Sequence, residues 1–134
     1  MEVADSSVII NAALGIDPVS VTSCRDVIAG SRVAIAHTLA ESYSTLTRSP
    51  APFRLSPTQA WQLLDDAFPE EPLTLSGQGY RQVLQLVSDR GIVGGAIYDL
   101  VIAMTAVEAD ALLISRDRRA AGNYALLGAS FTLI

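Results

Sequence analysis

Short apolar runs alternate along the chain with longer stretches in which apolar residues recur every three or four positions. The short runs predict β-strands at residues 1–4, 33–36, 72–75, 111–114 and 131–134. The longer stretches predict α-helices, because this spacing places apolar side chains on one face of a helix. The predicted helices cover residues 6–14, 17–30, 37–48, 56–68, 79–90, 97–109 and 117–127.

This alternation predicts an α/β fold in a single domain spanning residues 1–134, with a central parallel sheet of four to five strands. We expect helices on both faces of the sheet, because the clearest strands are apolar on both of their sides. A chain of 134 residues is long enough to bury a core without disulfides. Ligands of such sheets bind beyond the carboxyl ends of the strands, so the polar residues there are the candidates for a site.

Composition narrows the possible functions. Half of the residues are hydrophobic and 17% are charged, which excludes an intrinsically disordered chain. The single Cys24 and the single His37 exclude an internal disulfide and a Cys/His zinc site. All nine basic residues are arginine, which excludes chemistry that depends on a lysine. No targeting signal or membrane-spanning run stands out, so we expect a cytoplasmic protein.

Four acidic residues lie near element ends that such a fold could bring to one edge of the sheet. Asp5 follows the first strand, Asp117 lies just past the fourth, and Glu41 and Asp99 lie in the first turns of their helices. Each acid alone has a structural explanation, as a helix cap, a helix-dipole partner or a solvated surface residue. Carboxylates held together repel one another unless a cation neutralises them, and oxygen ligands favour Mg²⁺ or Mn²⁺. A shared site would therefore use water activated by a metal ion.

The flanks of these acids resemble four motifs of the PIN-domain ribonucleases, in the family's order and over essentially the whole chain. The matching segments are Val3–Ile10, Leu39–Arg48, Ile97–Ala106 and Leu112–Arg119. Length and compactness make the chain similar to the VapC toxins of type II toxin–antitoxin modules. The resemblance implies an endoribonuclease that requires Mg²⁺ or Mn²⁺, with Asp5, Glu41, Asp99 and Asp117 as catalytic and metal-binding residues and Ser115 in support.

The resemblance also implies partners. Family members cleave structured RNA such as tRNA or ribosomal RNA, are inhibited by a cognate VapB-type antitoxin and commonly form homodimers. The net charge of −5 disfavours a protein that holds RNA mainly by neutralising phosphates. Most of that charge would belong to the four acids, and arginines could form a local basic rim. The candidates for RNA or antitoxin contact are Arg48, Arg116, Arg118 and Arg119, with Arg116 expected to face the site.

Several alternatives stay open at this stage. Arg118 and Arg119 stand where some PIN domains carry a further acid, so the site could hold one metal ion or two. A catalytically weak PIN-like module that binds RNA or protein is the alternative function. Trp61, Leu64 and Phe68 share a helical stripe that belongs either to the core or to a partner surface. A phosphatase of the haloacid-dehalogenase type is excluded, because Ser7 stands where it needs a second aspartate and the chain has no lysine.

Overall fold

The computed structural model describes all residues, 1–134, which form three strands and seven helices. Along the chain these are β1 Glu2–Ala4, α1 Ser6–Leu14, α2 Val21–Gly30, α3 Ala36–Arg48, α4 Pro57–Ala67, α5 Gly77–Arg90, α6 Ala96–Glu108, β2 Leu112–Ser115, α7 Ala121–Leu126 and β3 Phe131–Leu133. No helix combines the length and the apolarity that a membrane crossing requires.

The sheet is parallel, and β2 lies between β1 and β3. Successive side chains of a strand point to opposite faces. Val3 and Leu113 therefore enter the core on one face of the sheet, and Ala4 and Ile114 enter the core on the other. Helices α6 and α7 pack side chains into the first core and α1 to α4 into the second, which confirms an α/β fold with a parallel sheet covered on both faces.

The sheet has three strands where the sequence predicted four to five. Residues 33–35 and 72–75 form no ladder and share only an isolated bridge between Ile35 and Leu73. Two backbone hydrogen bonds of 2.8 Å hold this bridge, from Ala36 N–H to Leu73 C=O and from Leu73 N–H to Ala34 C=O. The segment is too short for a ladder, because α3 begins at Ala36 directly after the bridge.

Two helices begin later than predicted, because an aspartate builds a turn in front of each. Asp17 accepts hydrogen bonds from Val19 N–H and from the Ser20 hydroxyl, and α2 begins only at Val21. Asp117 accepts hydrogen bonds from the N–H groups of Arg119 and Ala120, at 2.9 Å and 3.3 Å, before α7 begins at Ala121. Aspartate side chains favour such turns because they compete with the backbone for hydrogen bonds.

Helical spacing places Leu39, Tyr43 and Leu46 on one face of α3, but this face is not the one that the helix buries. Thr38, Ser42 and Leu46 are the fully buried residues of this helix, and Tyr43 is exposed. Helix α3 packs against both α1 and α4, and small polar side chains at its buried positions leave room for those neighbours.

The helical stripe of Trp61, Leu64 and Phe68 is divided between the core and the surface. Leu64 and Phe68 belong to the core on the Ala4 face of the sheet. The side of α4 that carries Trp61 faces outward, and 60% of this residue is exposed. Trp61 is therefore available to a partner.

Candidate active site

Asp5 is the best-anchored carboxylate of the protein. It lies directly after β1, caps α1 and is 2% exposed. One of its oxygens accepts hydrogen bonds from the Ser7 hydroxyl and from Val8 N–H, and the other accepts them from the hydroxyls of Ser115 and Tyr124. A buried charge is tolerated when its lone pairs are satisfied in this way, so the fold fixes Asp5 in one position.

Hydroxyl groups also join the ends of β1 and β2. Ser115, the last residue of β2, donates to Asp5 and accepts a 2.9 Å hydrogen bond from Asp117 N–H. Ser7 donates to Asp5 and accepts a 2.9 Å hydrogen bond from Arg116 N–H. Because each hydroxyl serves as donor and acceptor, the backbone that carries Asp117 is positioned relative to Asp5.

Tyr124 brings α7 into the same network. Its hydroxyl donates to Asp5 at 2.9 Å, and the residue is almost fully buried. Burial and the charge of Asp5 raise the pKa of Tyr124 far above its usual range. The phenol therefore stays protonated and acts as a hydrogen-bond donor at any physiological pH.

The four predicted acids line one cleft of about 460 Å³ at the carboxyl end of the sheet. Asp5 and Asp117 follow β1 and β2, Glu41 projects from α3, and Asp99 projects from the first turn of α6. Asn123 on α7 donates a 3.0 Å hydrogen bond to one oxygen of Asp99. The structure thus brings together residues that are separated by most of the chain.

The cleft disfavours negative charge. Burial, followed by the charges of Asp99 and Asp5, raises the pKa of Glu41 from 4.5 to about 6. Burial also raises the pKa of Asp99, with further contributions from the charges of Asp117 and Asp5 and an opposing contribution from the Asn123 hydrogen bond. Carboxylates that raise one another's pKa in a cleft are typical of a site that a cation would stabilise.

Glu41 provides the strongest sign of a missing positive partner. Its buried Oε1 has no hydrogen-bond partner. The nearest imidazole nitrogen, Nε2 of His37, lies 3.6 Å away, beyond hydrogen-bonding distance. Burial lowers the pKa of His37, so the imidazole is neutral at pH 7 and does not compensate the carboxylate.

The oxygen donors of the cleft fit a hard divalent cation. No three histidine, cysteine or carboxylate side chains surround a common point closely enough to form a complete metal cage. Mg²⁺ does not need such a cage, because it keeps several waters and takes only one or two carboxylates. Oε1 of Glu41 and the Asp99 oxygen that Asn123 leaves free are the acceptors available for it.

The four candidate arginines occupy different places. Arg119 lines the cleft and approaches Asp117 to 3.4 Å. Arg118 is exposed, and Arg48 lines a neighbouring cleft. The expectation that Arg116 faces the site is wrong, because its guanidinium pairs with Asp17 instead. The Arg116 side chain leaves the chain just past the end of β2 and reaches the turn in front of α2 that contains Asp17.

Sequence reasoning missed two residues of the site, Tyr124 and Asn123. Both lie on α7, whose register against Asp5 and Asp99 depends on tertiary packing. Their position in the helix that follows the fourth acid is only a weak indication that they belong to the site. Ser7, in contrast, lies within the first motif, two residues after Asp5.

The chain belongs to the PIN domain family, whose model matches residues 3–125. Two curated relatives place it in the VapC ribonuclease branch of that family. It is 41% identical over 92 residues to Ribonuclease VapC27 of Mycobacterium tuberculosis, an alignment that covers 69% of this chain and 66% of the relative. It is 36% identical over 100 residues to Ribonuclease VapC40 of the same species, which covers 75% of both chains.

A solved structure supports the fold. The crystal structure of PAE2754 from Pyrobaculum aerophilum superposes with a TM-score of 0.62 at 19% sequence identity. The match covers 97% of this chain and 89% of the other. At this level of identity, the similarity establishes a shared architecture.

Changing Tyr124 to Phe should destabilise the protein, because the buried carboxylate of Asp5 loses one of its donors. We expect the free energy of unfolding to fall by about 1–3 kcal/mol, the usual cost of an unsatisfied buried group. Urea denaturation at pH 7 measures this quantity. The matched control is Tyr80→Phe on α5, at a residue that is 47% exposed. Equal effects of the two changes would contradict the role assigned to Tyr124.

Changing Glu41 to Gln should stabilise the metal-free protein at pH 7. The pKa of Glu41 is higher in the folded state than its ordinary 4.5, so folding is not penalised below pH 4.5 and the penalty grows as the pH rises through about 6. The shift corresponds to about 2 kcal/mol. Because 35% of the side chain is exposed, solvent screening reduces the expected gain to about 1 kcal/mol.

Thermal denaturation in EDTA at pH 4 and at pH 7 measures this effect. The variant should melt at a higher temperature than the unmodified protein at pH 7 and at nearly the same temperature at pH 4. A variant that is less stable than the unmodified protein at pH 7 would show that Glu41 is compensated within the protein.

Proposed function

We propose that the protein is an endoribonuclease that depends on Mg²⁺ or Mn²⁺ and acts as the toxin of a type II toxin–antitoxin module. The observation that carries the proposal is the buried, unpartnered Oε1 of Glu41 in a cleft that also holds Asp5, Asp99 and Asp117. Membership of the PIN domain family and the ribonuclease names of two relatives support the same chemistry.

Each acid has a distinct role in this proposal. Glu41 and Asp99 offer free oxygens to the cation. Asp5, whose two oxygens already accept four hydrogen bonds, supplies a fixed negative charge beside the cation. Asp117 is the fourth carboxylate of the cleft, and the Ser115 hydroxyl positions its backbone by a hydrogen bond. The chemistry that a cation contributes is activation of water and stabilisation of the leaving oxygen of a phosphodiester.

Arg119 is suited to binding a phosphate of the RNA substrate. Its side chain is almost fully exposed at the edge of the cleft, and it has only a loose contact with Asp117. A guanidinium can bind two phosphate oxygens at once, which would orient an RNA backbone above the carboxylates. Arg118 beside it is exposed and could contribute to the same basic rim.

The proposal includes partners. By resemblance to the VapC branch, the RNA substrate is a tRNA or a ribosomal RNA, the inhibitor is a VapB-type antitoxin, and the protein acts in the cytoplasm as a homodimer. The exposed indole of Trp61 supports a protein partner, because large aromatic residues are enriched at protein–protein interfaces. The arginines of the rim could also contact an acidic segment of the antitoxin.

Cleavage of RNA tests the function directly. Total bacterial RNA is incubated with the protein and Mg²⁺ or Mn²⁺, and new 5′-phosphate ends are sequenced. We expect a few sharp ends that EDTA abolishes. Loss of a group that only supports a metal ligand lowers activity by about 10–100-fold. Asp99→Asn should lower the cleavage rate by more than this, because it removes a ligand oxygen.

The matched control is Asp89→Asn, which removes an exposed carboxylate on α5 outside the cleft and should leave cleavage unchanged. Ends that persist in EDTA and in Asp99→Asn would contradict the proposed mechanism. RNA binding without any new ends, across RNA pools from several bacteria, would favour the non-cutting PIN-like module.

A further inference from the structure

A second cleft adjoins the carboxylate cleft. Its volume is about 310 Å³, and Glu41 lines both clefts, so the two meet at this side chain. Its walls come from α3 and from the start of α6, and five of its seven lining residues are of polar or charged type. The lining residues are His37, Ala40, Glu41, Ser44, Thr45, Arg48 and Tyr98.

Tyr98 presents an aromatic ring in this second cleft. It directly precedes Asp99 in the sequence, yet 51% of the residue is exposed. The ring stacks on His37, with 5.1 Å between ring centroids and 18° between the planes. Because His37 lies at the base of α3 and is largely buried, it supports one face of Tyr98 and limits the ring's movement.

Polar groups without partners occupy the rest of the second cleft. Arg48 is exposed and pairs with no carboxylate of the protein. It follows Glu41 by seven residues on the same helix, so its backbone lies about 10 Å further along the helix axis. A cation at that distance is placed to contact a phosphate next to the one held over the carboxylates. Ser44 between them offers an exposed hydroxyl.

We propose that the second cleft binds a nucleotide flanking the scissile phosphate, with its base stacked on Tyr98 and its phosphate on Arg48. This inference rests on the proposed ribonuclease function. A supported aromatic ring, an unpaired guanidinium and hydroxyl groups are the components with which proteins bind single-stranded RNA. A peptide of an antitoxin is the alternative occupant, and its binding would not require an aromatic ring at residue 98.

RNA binding tests the stacking. The probe is a fluorescein-labelled, single-stranded RNA oligonucleotide of random sequence, titrated with Asp99→Asn protein in Mg²⁺ so that it is not cut. Adding Tyr98→Ala should weaken binding by about 5- to 150-fold, the usual range for loss of one stacked base. Tyr98→Phe should bind like the parent, whereas Tyr98→Leu should bind like Tyr98→Ala.

The matched control is Tyr43→Ala, which removes an exposed tyrosine of α3 that lines neither cleft. It should leave the affinity unchanged, and thermal melting of each variant verifies its folding. Equal affinity of Tyr98→Ala and Tyr98→Phe would overturn the inference, even if Tyr98→Ala lost binding to a partner protein. An effect of Tyr98→Leu no larger than that of Tyr98→Phe would also overturn it, because bulk rather than stacking would then be sufficient.

Cleavage by the chain with Asp99 intact separates this inference from the proposed function. The unmodified chain could produce new RNA ends while Tyr98→Ala and Tyr98→Phe bind RNA equally well. This result would support the ribonuclease function and contradict the stacking site. Loss of binding in Tyr98→Ala without cleavage by the unmodified chain would leave an RNA-binding cleft on a protein that does not cut.

Discussion

The buried carboxylate of Asp5 organises the carboxyl end of the sheet. Its hydrogen bonds reach Ser7 in α1, Ser115 at the end of β2 and Tyr124 on α7, so one charge connects three parts of the chain. Such a charge is stable only while these donors stay in place. The constraint therefore acts in both directions, because the donors fix Asp5 and Asp5 fixes the elements that carry the donors.

Glu41 and Asp99 are left without comparable compensation. Glu41 has a buried oxygen with no partner, and Asp99 has one donor, Asn123. Burial, and to a smaller extent the neighbouring carboxylates, raises the pKa of both groups. A cation would stabilise their charged forms, and a phosphate could then approach a cleft that otherwise repels it. This division between one satisfied carboxylate and two unsatisfied ones is the basis for proposing metal chemistry in the cleft.

Local sequence was sufficient to predict the site residues that follow a strand or lie at the start of a helix. Asp5 could be predicted because a strand precedes it and it caps a helix, and the four acids indeed line one cleft. Tyr124 could not, because its partner Asp5 lies 119 residues away. The orientation of Arg116 and the exposure of Tyr43 likewise depend on which neighbours the folded chain supplies. The bridge at Ile35 fell short of a strand because the adjoining helix begins at once.

Anomalous X-ray diffraction from crystals grown with Mn²⁺ tests the central claim most directly. The account predicts a manganese peak in the cleft, within about 2.0–2.2 Å of oxygens of Glu41 and Asp99 and close to Asp5. Oε1 of Glu41 would then have its missing partner. A cleft without manganese at saturating concentration, or manganese bound only at other acids, would contradict the account.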